Sequence, residues 1–200
     1  MALKETPSQT IGPYFAYGLT AEQYGYPLDQ IAGGNLLAEC PEVEGDRIEI
    51  VGHVLDGEGA TISDAMVEIW QADAEGRYAH PADPRTSNSR FRGFGRFGTG
   101  TEPDNVFRFR TIKPGSPDRF QAPHMNVTVF ARGLLLHVVT RLYFADEDKA
   151  NQRDPVLALV PIDRRHTLIA STSGFGNPNC YRFDIHLQGE KETVFFDTLR

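Results

Sequence analysis

Short runs of alternating apolar and polar residues, each closed by glycine or proline, constrain the fold of this chain more than any other feature of its sequence. The 200 residues include 19 glycines and 13 prolines, so there is little room for long helices. A period of two places alternate side chains on one face of a β-strand. The clearest case is YRFDIHLQG at residues 181–189, where Tyr181, Phe183, Ile185 and Leu187 share a face.

Six or seven such runs follow Arg47, and they predict an all-β fold, a β-sandwich with few short helices. Residues 1–46 lack the alternation and are predicted to form an extended N-terminal arm, with one short helix near TAEQYG. Residues 47–200 are predicted to form the sandwich core of a single domain. The best helix candidate is ADEDKANQRDPVLALV at residues 145–160, predicted as a surface helix that Pro155 ends.

Charge and cysteine content exclude several classes of function. The formal net charge of −7 argues against nonspecific nucleic-acid binding, which depends on clustered Lys and Arg. The two cysteines form no CxxC pair, which favours free thiols in a reducing cytosol. No apolar stretch is typical of a signal peptide or long enough to span a bilayer. We therefore expect a cytoplasmic protein.

A glycine-rich stretch, GFGRFGTG at residues 93–100, matches the G-x-G-x-x-G pattern of dinucleotide-binding sites. Such a site also needs a helix directly after the glycines, because the helix N-terminus holds the pyrophosphate. The following residues, TGTEPDNV, cannot start one. We interpret the stretch as a glycine-rich loop without a nucleotide.

Tyr78 in WQADAEGRY and His124 in APHMNV are the residues best suited to metal chemistry. A tyrosinate together with imidazoles suits Fe(III), which favours anionic oxygen donors. Asn126 lies one step of the pleat beyond His124, where a second imidazole could grip the same ion. Its neutral amide is a much weaker donor. On these residues alone, metal binding by this chain is not expected.

The order of several short motifs resembles the intradiol aromatic-ring dioxygenases over nearly the whole chain. The motifs are TPSQTIGPY, VEIWQADAEGRY, TIKPG, APHMNV, TRLYF and YRFDIHLQGEKETVFFD. Each is weak evidence alone, but their order and spacing together are specific. The resemblance implies a β-sandwich, in agreement with the alternation described above.

The resemblance also implies that the iron is held elsewhere. In the catalytic subunits of this family, two tyrosines and two histidines hold a non-haem Fe(III). The corresponding positions here are Tyr78, Ser116 or Pro117, His124 and Asn126. An arginine that precedes the first histidine by three residues corresponds to Gln121. The chain is thus expected to have no catalytic residue and no iron, and to assemble with an iron-binding beta-type subunit in a large hetero-oligomer.

Residues of the arm and one arginine are implied to complete the substrate pocket of that partner. They are Thr10, Gly12, Pro13 and Tyr14 of TIGPY, and Arg132 of VFARGLLL. A small, stiff Gly-Pro segment can approach a planar ring closely, and a guanidinium can meet a substrate carboxylate. The alternatives are a tail packed on its own domain and an arginine that merely ends a strand.

The reaction implied for the assembly is ring cleavage of protocatechuate (3,4-dihydroxybenzoate) by O2, which yields 3-carboxy-cis,cis-muconate in the β-ketoadipate route of aromatic catabolism. Two other hypotheses remain open at this point. The chain could be a self-sufficient dioxygenase that holds iron through an unconventional ligand set. It could also be a non-enzymatic β-sandwich binding module that kept the fold alone.

Overall fold

A computed structural model describes residues 17–85, 90–172, 177 and 179–197 of the chain. Most of its regular structure is β-strand. The strands are β1 (Arg47–Gly52), β2 (Val54–Leu55), β3 (Met66–Gln71), β4 (Phe94–Gly98), β5 (Phe107–Ile112), β6 (His124–Phe130), β7 (Val138–Phe144), β8 (Ile169–Thr172), β9 (Cys180–Arg182) and β10 (Ile185–His186). Short α-helices cover Asp148–Asn151 and Pro155–Leu159, and 3₁₀ turns cover Ala21–Tyr24, Pro103–Asn105, Ala145–Glu147 and Arg165–Leu168.

The strands form an eight-stranded sheet in the order β4-β3-β6-β7-β8-β9-β1-β5, and a small second sheet pairs β10 with β2. The large sheet folds back on itself, because apolar side chains from both of its halves meet in one core. That core includes Ile50 of β1, Val67 of β3, Phe109 of β5, Val127 of β6 and Leu142 of β7. The predicted β-sandwich with few short helices is confirmed.

The described part of the predicted arm packs on the edge strands β4 and β5. The Gln23 side chain makes two hydrogen bonds to the backbone of Gly98, one as donor and one as acceptor. The backbone of Asn35 bridges to Arg110 of β5. The short helix expected near TAEQYG is the 3₁₀ turn Ala21–Tyr24. A division of the chain at residue 46 stays a prediction.

The interpretation of GFGRFGTG as a loop was wrong, because Phe94–Gly98 forms β4 and pairs antiparallel with β3. The glycines allow other segments to lie directly against this strand. A Cβ built on Gly95 would lie 2.5 Å from Cδ1 of Leu36, and one on Gly98 would lie 3.2 Å from the Tyr24 hydroxyl. The glycine pattern thus serves packing of the N-terminal segment.

The predicted helix over residues 145–160 is divided into a 3₁₀ turn and two short helices, and Pro155 begins the last of them. Proline suits the first helical position, where its missing N–H has no partner to lose. The Asp154 side chain caps this helix by accepting hydrogen bonds from the backbone of Val156 and Leu157. Throughout the described ranges, every helix is too short or too polar to cross a membrane.

Candidate functional site

Tyr78, His124 and Asn126 come together at one end of the sandwich, and we call these three residues the half-site. The Tyr78 hydroxyl lies 3.5 Å from Nε2 of His124. Nδ2 of Asn126 lies 3.4 Å from the same hydroxyl. The structure therefore brings together three of the positions that correspond to iron ligands in the sequence analysis.

Two neighbouring strands position the half-site. His124 and Asn126 are alternate residues of β6, so their side chains project from the same face. Asn126 pairs with Trp70 of β3, and its Nδ2 lies 3.5 Å from the Trp70 carbonyl oxygen. Tyr78 reaches the site from the loop that follows β3, and its ring lies 4.8 Å from that of Trp70.

A tight turn after β3 carries Tyr78. The buried carboxylate of Asp73 accepts hydrogen bonds from the backbone N–H groups of Glu75 and Arg77, at 3.0 and 2.9 Å. Gly76 adopts a φ of 79°, which favours glycine. A Cβ on Gly76 would also lie 1.9 Å from the carbonyl oxygen of Ser116. The segment after TIKPG therefore runs directly beside the turn that carries Tyr78.

An Asp83–Arg85 clamp fixes the same loops. Asp83 Oδ2 accepts the backbone N–H of Tyr78 at 2.9 Å. Arg85 pairs with Asp83 and donates to the carbonyl oxygens of Gly76 and Pro117, each at 2.9 Å. The hydrogen bonds from Arg85 and from two backbone N–H groups hold the pKa of Asp83 well below its usual range. The clamp joins the Tyr78 turn to the segment at Pro117.

His124 is a neutral imidazole with one defined tautomer. Only 2% of its surface is exposed. Its Nδ1 lies 2.8 Å from the carbonyl oxygen of Ala122, which can only accept, so Nδ1 carries the hydrogen and Nε2 the lone pair. Burial lowers the pKa of His124 to about 4, and the charge of Arg141 adds to the shift. Nε2 therefore faces the Tyr78 hydroxyl as an acceptor.

A buried carboxylate supports the strand end that carries His124. Asp154 is fully buried, and its Oδ2 accepts the backbone N–H of Ala122 at 2.8 Å. Its Oδ1 accepts the hydroxyl of Tyr143 at 3.1 Å. The Tyr143 ring lies 5.7 Å from that of His124. Asp154 thus connects a helix start, strand β7 and the residue whose carbonyl oxygen fixes the His124 tautomer.

A cationic side chain borders the half-site. Arg141 of β7 pairs with Asn126 of β6, and its Nη1 donates to Oε1 of Gln121 at 2.9 Å. Gln121 in turn donates to Oδ2 of Asp118 at 2.8 Å. The amide at position 121 therefore links a guanidinium to a carboxylate. The charge of Arg141 disfavours a cation at this place.

The half-site is a poor ligand set for a ferric ion. Burial raises the pKa of Tyr78, so without a cation its phenol stays protonated, whereas Fe(III) favours anionic oxygen. Asn126 provides a neutral amide, and Ser116 and Pro117 stand where a second tyrosine is implied. Among the residues that the structure describes, His, Cys, Asp and Glu form no cluster of three or more that could add ligands. The residues present do not fit the ion.

Arg132 does not join the half-site. Strand β6 separates His124 from Phe130 by about 20 Å, and Arg132 lies beyond that far end. Its side chain is 68% exposed and forms an ion pair with Asp64, with 3.1 Å between Nε and Oδ2. The other residues predicted to contact substrate lie outside the described residues, namely Thr10, Gly12, Pro13 and Tyr14.

Sequence reasoning missed four residues of this region. Trp70, Asp83, Arg85 and Arg141 each contact the half-site or the loops that carry it. No periodicity marks Asp83 or Arg85, since both lie in a loop. The pairing of Arg141 with Asn126 depends on the register between β6 and β7, and side-chain alternation does not distinguish registers that differ by two residues.

Comparisons with known proteins identify related chains. A family profile described as Dioxygenase matches residues 23–189. The protocatechuate 3,4-dioxygenase alpha chain of Burkholderia cepacia is 50% identical over 196 residues, which cover 98% of each chain. The protocatechuate 3,4-dioxygenase beta chain of the same organism is 34% identical over 203 residues, which cover 96% of this chain and 83% of that one.

Solved structures show the same fold. The intradiol ring-cleavage dioxygenase of Tetranychus urticae matches with a TM-score of 0.57, over 99% of this chain and 97% of that one. The sequence identity is 17%, so this likeness concerns the fold alone.

Proposed function

This chain belongs to the intradiol dioxygenase family, and from that premise we propose that it is the alpha-type, non-iron-binding subunit of a protocatechuate 3,4-dioxygenase. The observation that carries the proposal is the half-site. The chain keeps the fold and two of the four ligand positions, Tyr78 and His124, while Asn126 and the segment at Ser116 lack ligand side chains of the required kind. The partner is a beta-type chain, similar to the relative that is 34% identical.

The assembly cleaves the ring of protocatechuate between its two hydroxylated carbons, and both atoms of O2 enter the product, 3-carboxy-cis,cis-muconate. The ferric ion, held by the partner, supplies activation of the bound catecholate toward O2. This chain's own contribution is to complete the walls of the substrate pocket. We also place the protein in the cytoplasm, as its sequence predicts.

Two parts of the chain are proposed to line the partner's pocket. Residues Thr10, Gly12, Pro13 and Tyr14 would close over it, because a Gly-Pro backbone can approach a planar ring closely. Arg132 would assist binding of the substrate carboxylate. Its side chain is 68% exposed beside its ion pair with Asp64, which supports this assignment.

We expect the chain expressed alone to hold no tightly bound ferric ion and to cleave no protocatechuate. The half-site supplies one imidazole and one protonated phenol, which leaves Fe(III) short of anionic ligands. Metal analysis and the tyrosinate-to-iron absorption band measure this directly. Coexpression with a beta-type chain carrying both tyrosines and both histidines is the control, and it should give iron and turnover.

The same experiment separates the other hypotheses. A ferric ion and ring cleavage in the chain alone would support a self-sufficient dioxygenase and contradict our proposal. Failure to copurify with any beta-type chain would support a non-enzymatic binding module.

Replacing Arg132 by alanine in the assembled enzyme is expected to raise the KM for protocatechuate about tenfold, as loss of a hydrogen bond to a charged group would. The KM for catechol, which has no carboxylate, should change little. Arg119→Ala is a matched control. Arg119 is also an exposed arginine, but it lies two residues before Gln121, which borders the half-site. Equal changes in KM for both substrates would remove the role of Arg132.

A further inference from the structure

Arg132 and the described base of the N-terminal arm lie at one end of the sandwich. Strand register places Met66 of β3 opposite Phe130 of β6 on one side and Gly98 of β4 on the other. Arg132 follows Phe130 by two residues, and Asp64 precedes Met66 by two. This end is the one opposite the half-site.

The base of the N-terminal arm reaches the same end. Gln23 hydrogen-bonds the backbone of Gly98, and a Cβ built on Gly100 would lie 3.2 Å from the Tyr24 hydroxyl and 2.4 Å from the carbonyl oxygen of Ser63. Asp64, the residue after Ser63, is therefore close both to Arg132 and to the start of the described arm.

Asp64 forms an ion pair with Arg132 while most of the Arg132 side chain stays exposed. The contact joins Nε of Arg132 to Oδ2 of Asp64 at 3.1 Å. Neither terminal nitrogen of Arg132 has a hydrogen-bond partner in the ranges that the structure covers. The Asp64 side chain is only 17% exposed, whereas that of Arg132 is 68% exposed. A largely buried carboxylate thus contacts an exposed arginine at the Nε of its guanidinium group.

The pair contributes little to folding. Because the Arg132 side chain is 68% exposed, side-chain entropy and solvent screening oppose most of the attraction. Asp64 is also incompletely paired, since Oδ1 is buried and has no hydrogen-bond partner among the described residues. A buried acceptor without a donor opposes stability. Stability alone therefore does not account for a carboxylate at this position.

We infer that Asp64 is a positioning residue that directs the terminal nitrogens of Arg132 toward the substrate carboxylate in the partner's pocket. This inference rests on the proposed function, in which Arg132 meets that carboxylate. A fixed arginine loses less side-chain freedom when it binds the substrate, so Asp64 strengthens substrate binding without itself touching the substrate. The effect should therefore appear in the KM for substrates that carry a carboxylate and should be absent from the KM for catechol.

The test is steady-state kinetics of the coexpressed, iron-loaded assembly with Asp64→Ala. We expect the KM for protocatechuate to rise about fivefold, the factor that corresponds to about 1 kcal/mol. The kcat and the KM for catechol should stay unchanged. Asp64→Asn keeps an oxygen near Nε of Arg132 and should give a smaller rise. Glu75→Ala is the matched control, because Glu75 forms an exposed ion pair with Arg77 in the turn beside the half-site.

The double variant Asp64→Ala with Arg132→Ala distinguishes positioning from a general structural effect. If Asp64 acts through Arg132, its removal has no further effect once Arg132 is gone. The inference is overturned if Asp64→Ala leaves the KM for protocatechuate unchanged, alters both substrates alike, or acts equally in the Arg132→Ala background. A selective effect of Arg132→Ala with no effect of Asp64→Ala removes this inference alone. Equal effects of Arg132→Ala on both substrates remove it together with the role proposed for Arg132.

Discussion

Replacing Asp154 by alanine is expected to lower the free energy of unfolding by about 4 kcal/mol, which is in the range for loss of a buried, multiply hydrogen-bonded group. The carboxylate is fully buried and accepts four hydrogen bonds. Its donors are the backbone N–H groups of Ala122, Val156 and Leu157 and the hydroxyl of Tyr143. Alanine would leave these donors buried without an acceptor and would remove the cap of the helix Pro155–Leu159.

Urea-induced unfolding at a fixed protein concentration measures this loss. Asp154→Asn should lose less, because one amide oxygen can still accept from the helix backbone, while its NH2 group opposes the N–H of Ala122. Asp148→Ala is a matched control, since Asp148 begins the neighbouring helix but is exposed and bonds Gln152 at the surface. We expect a loss of less than about 0.5 kcal/mol there. A loss below about 1 kcal/mol for Asp154→Ala would contradict the assigned role.

The sandwich could be predicted from the sequence because its strands are half-buried. In β6, Met125, Val127 and Val129 are buried, while Asn126 and Thr128 are more exposed. The sequence therefore alternates between apolar and polar residues there. β4 was missed for the opposite reason. It is made of FGRFG, and glycines contribute no side-chain pattern, although here they allow Leu36 and Tyr24 to lie against the strand.

The prediction of one helix over residues 145–160 was wrong for a related reason, since the ends of the short helices depend on tertiary contacts. Pro155 can end a helix or begin one, and the sequence alone did not decide between these. The choice depends on Asp154, whose side chain caps the helix and also bonds Ala122 and Tyr143 from distant strands. A local pattern carries no signal of those distant partners.

The half-site could be predicted because its residues lie in motifs that resemble a known family, and the structure brings Tyr78, His124 and Asn126 together as expected. Its surroundings could not be predicted. Arg141 lies beside the site because the register of β6 and β7 pairs it with Asn126. Arg85 acts from a loop, where it donates to the carbonyl oxygens of Gly76 and Pro117. The contact between Arg132 and Asp64 joins positions 68 residues apart, and nothing local connects them.

Lowering the pH from 7 to 4 is expected to remove up to about 3 kcal/mol of unfolding free energy through His124 alone. Burial, reinforced by Arg141, lowers the pKa of His124 to about 4 in the folded chain, against about 6.5 when the chain is unfolded. Between these values the unfolded chain binds more protons, so stability falls as pH falls through this window. Above about pH 6.5 the contribution is fully present.

The variant His124→Asn isolates this effect, because asparagine stays neutral and keeps an N–H that can donate to the carbonyl oxygen of Ala122. Its unfolding free energy should be lower than that of the parent at pH 7, because packing is lost, but it should fall less between pH 7 and 4. The difference between the two proteins should therefore shrink by about 3 kcal/mol across that range. Carboxylates distant from His124 contribute equally to both proteins and cancel in the difference. His166→Asn, at an exposed position, is the control and should run parallel to the parent. Parallel curves for His124→Asn as well would mean that His124 is not held as a buried, neutral imidazole, because only a group that binds protons differently in the two states can change the slope.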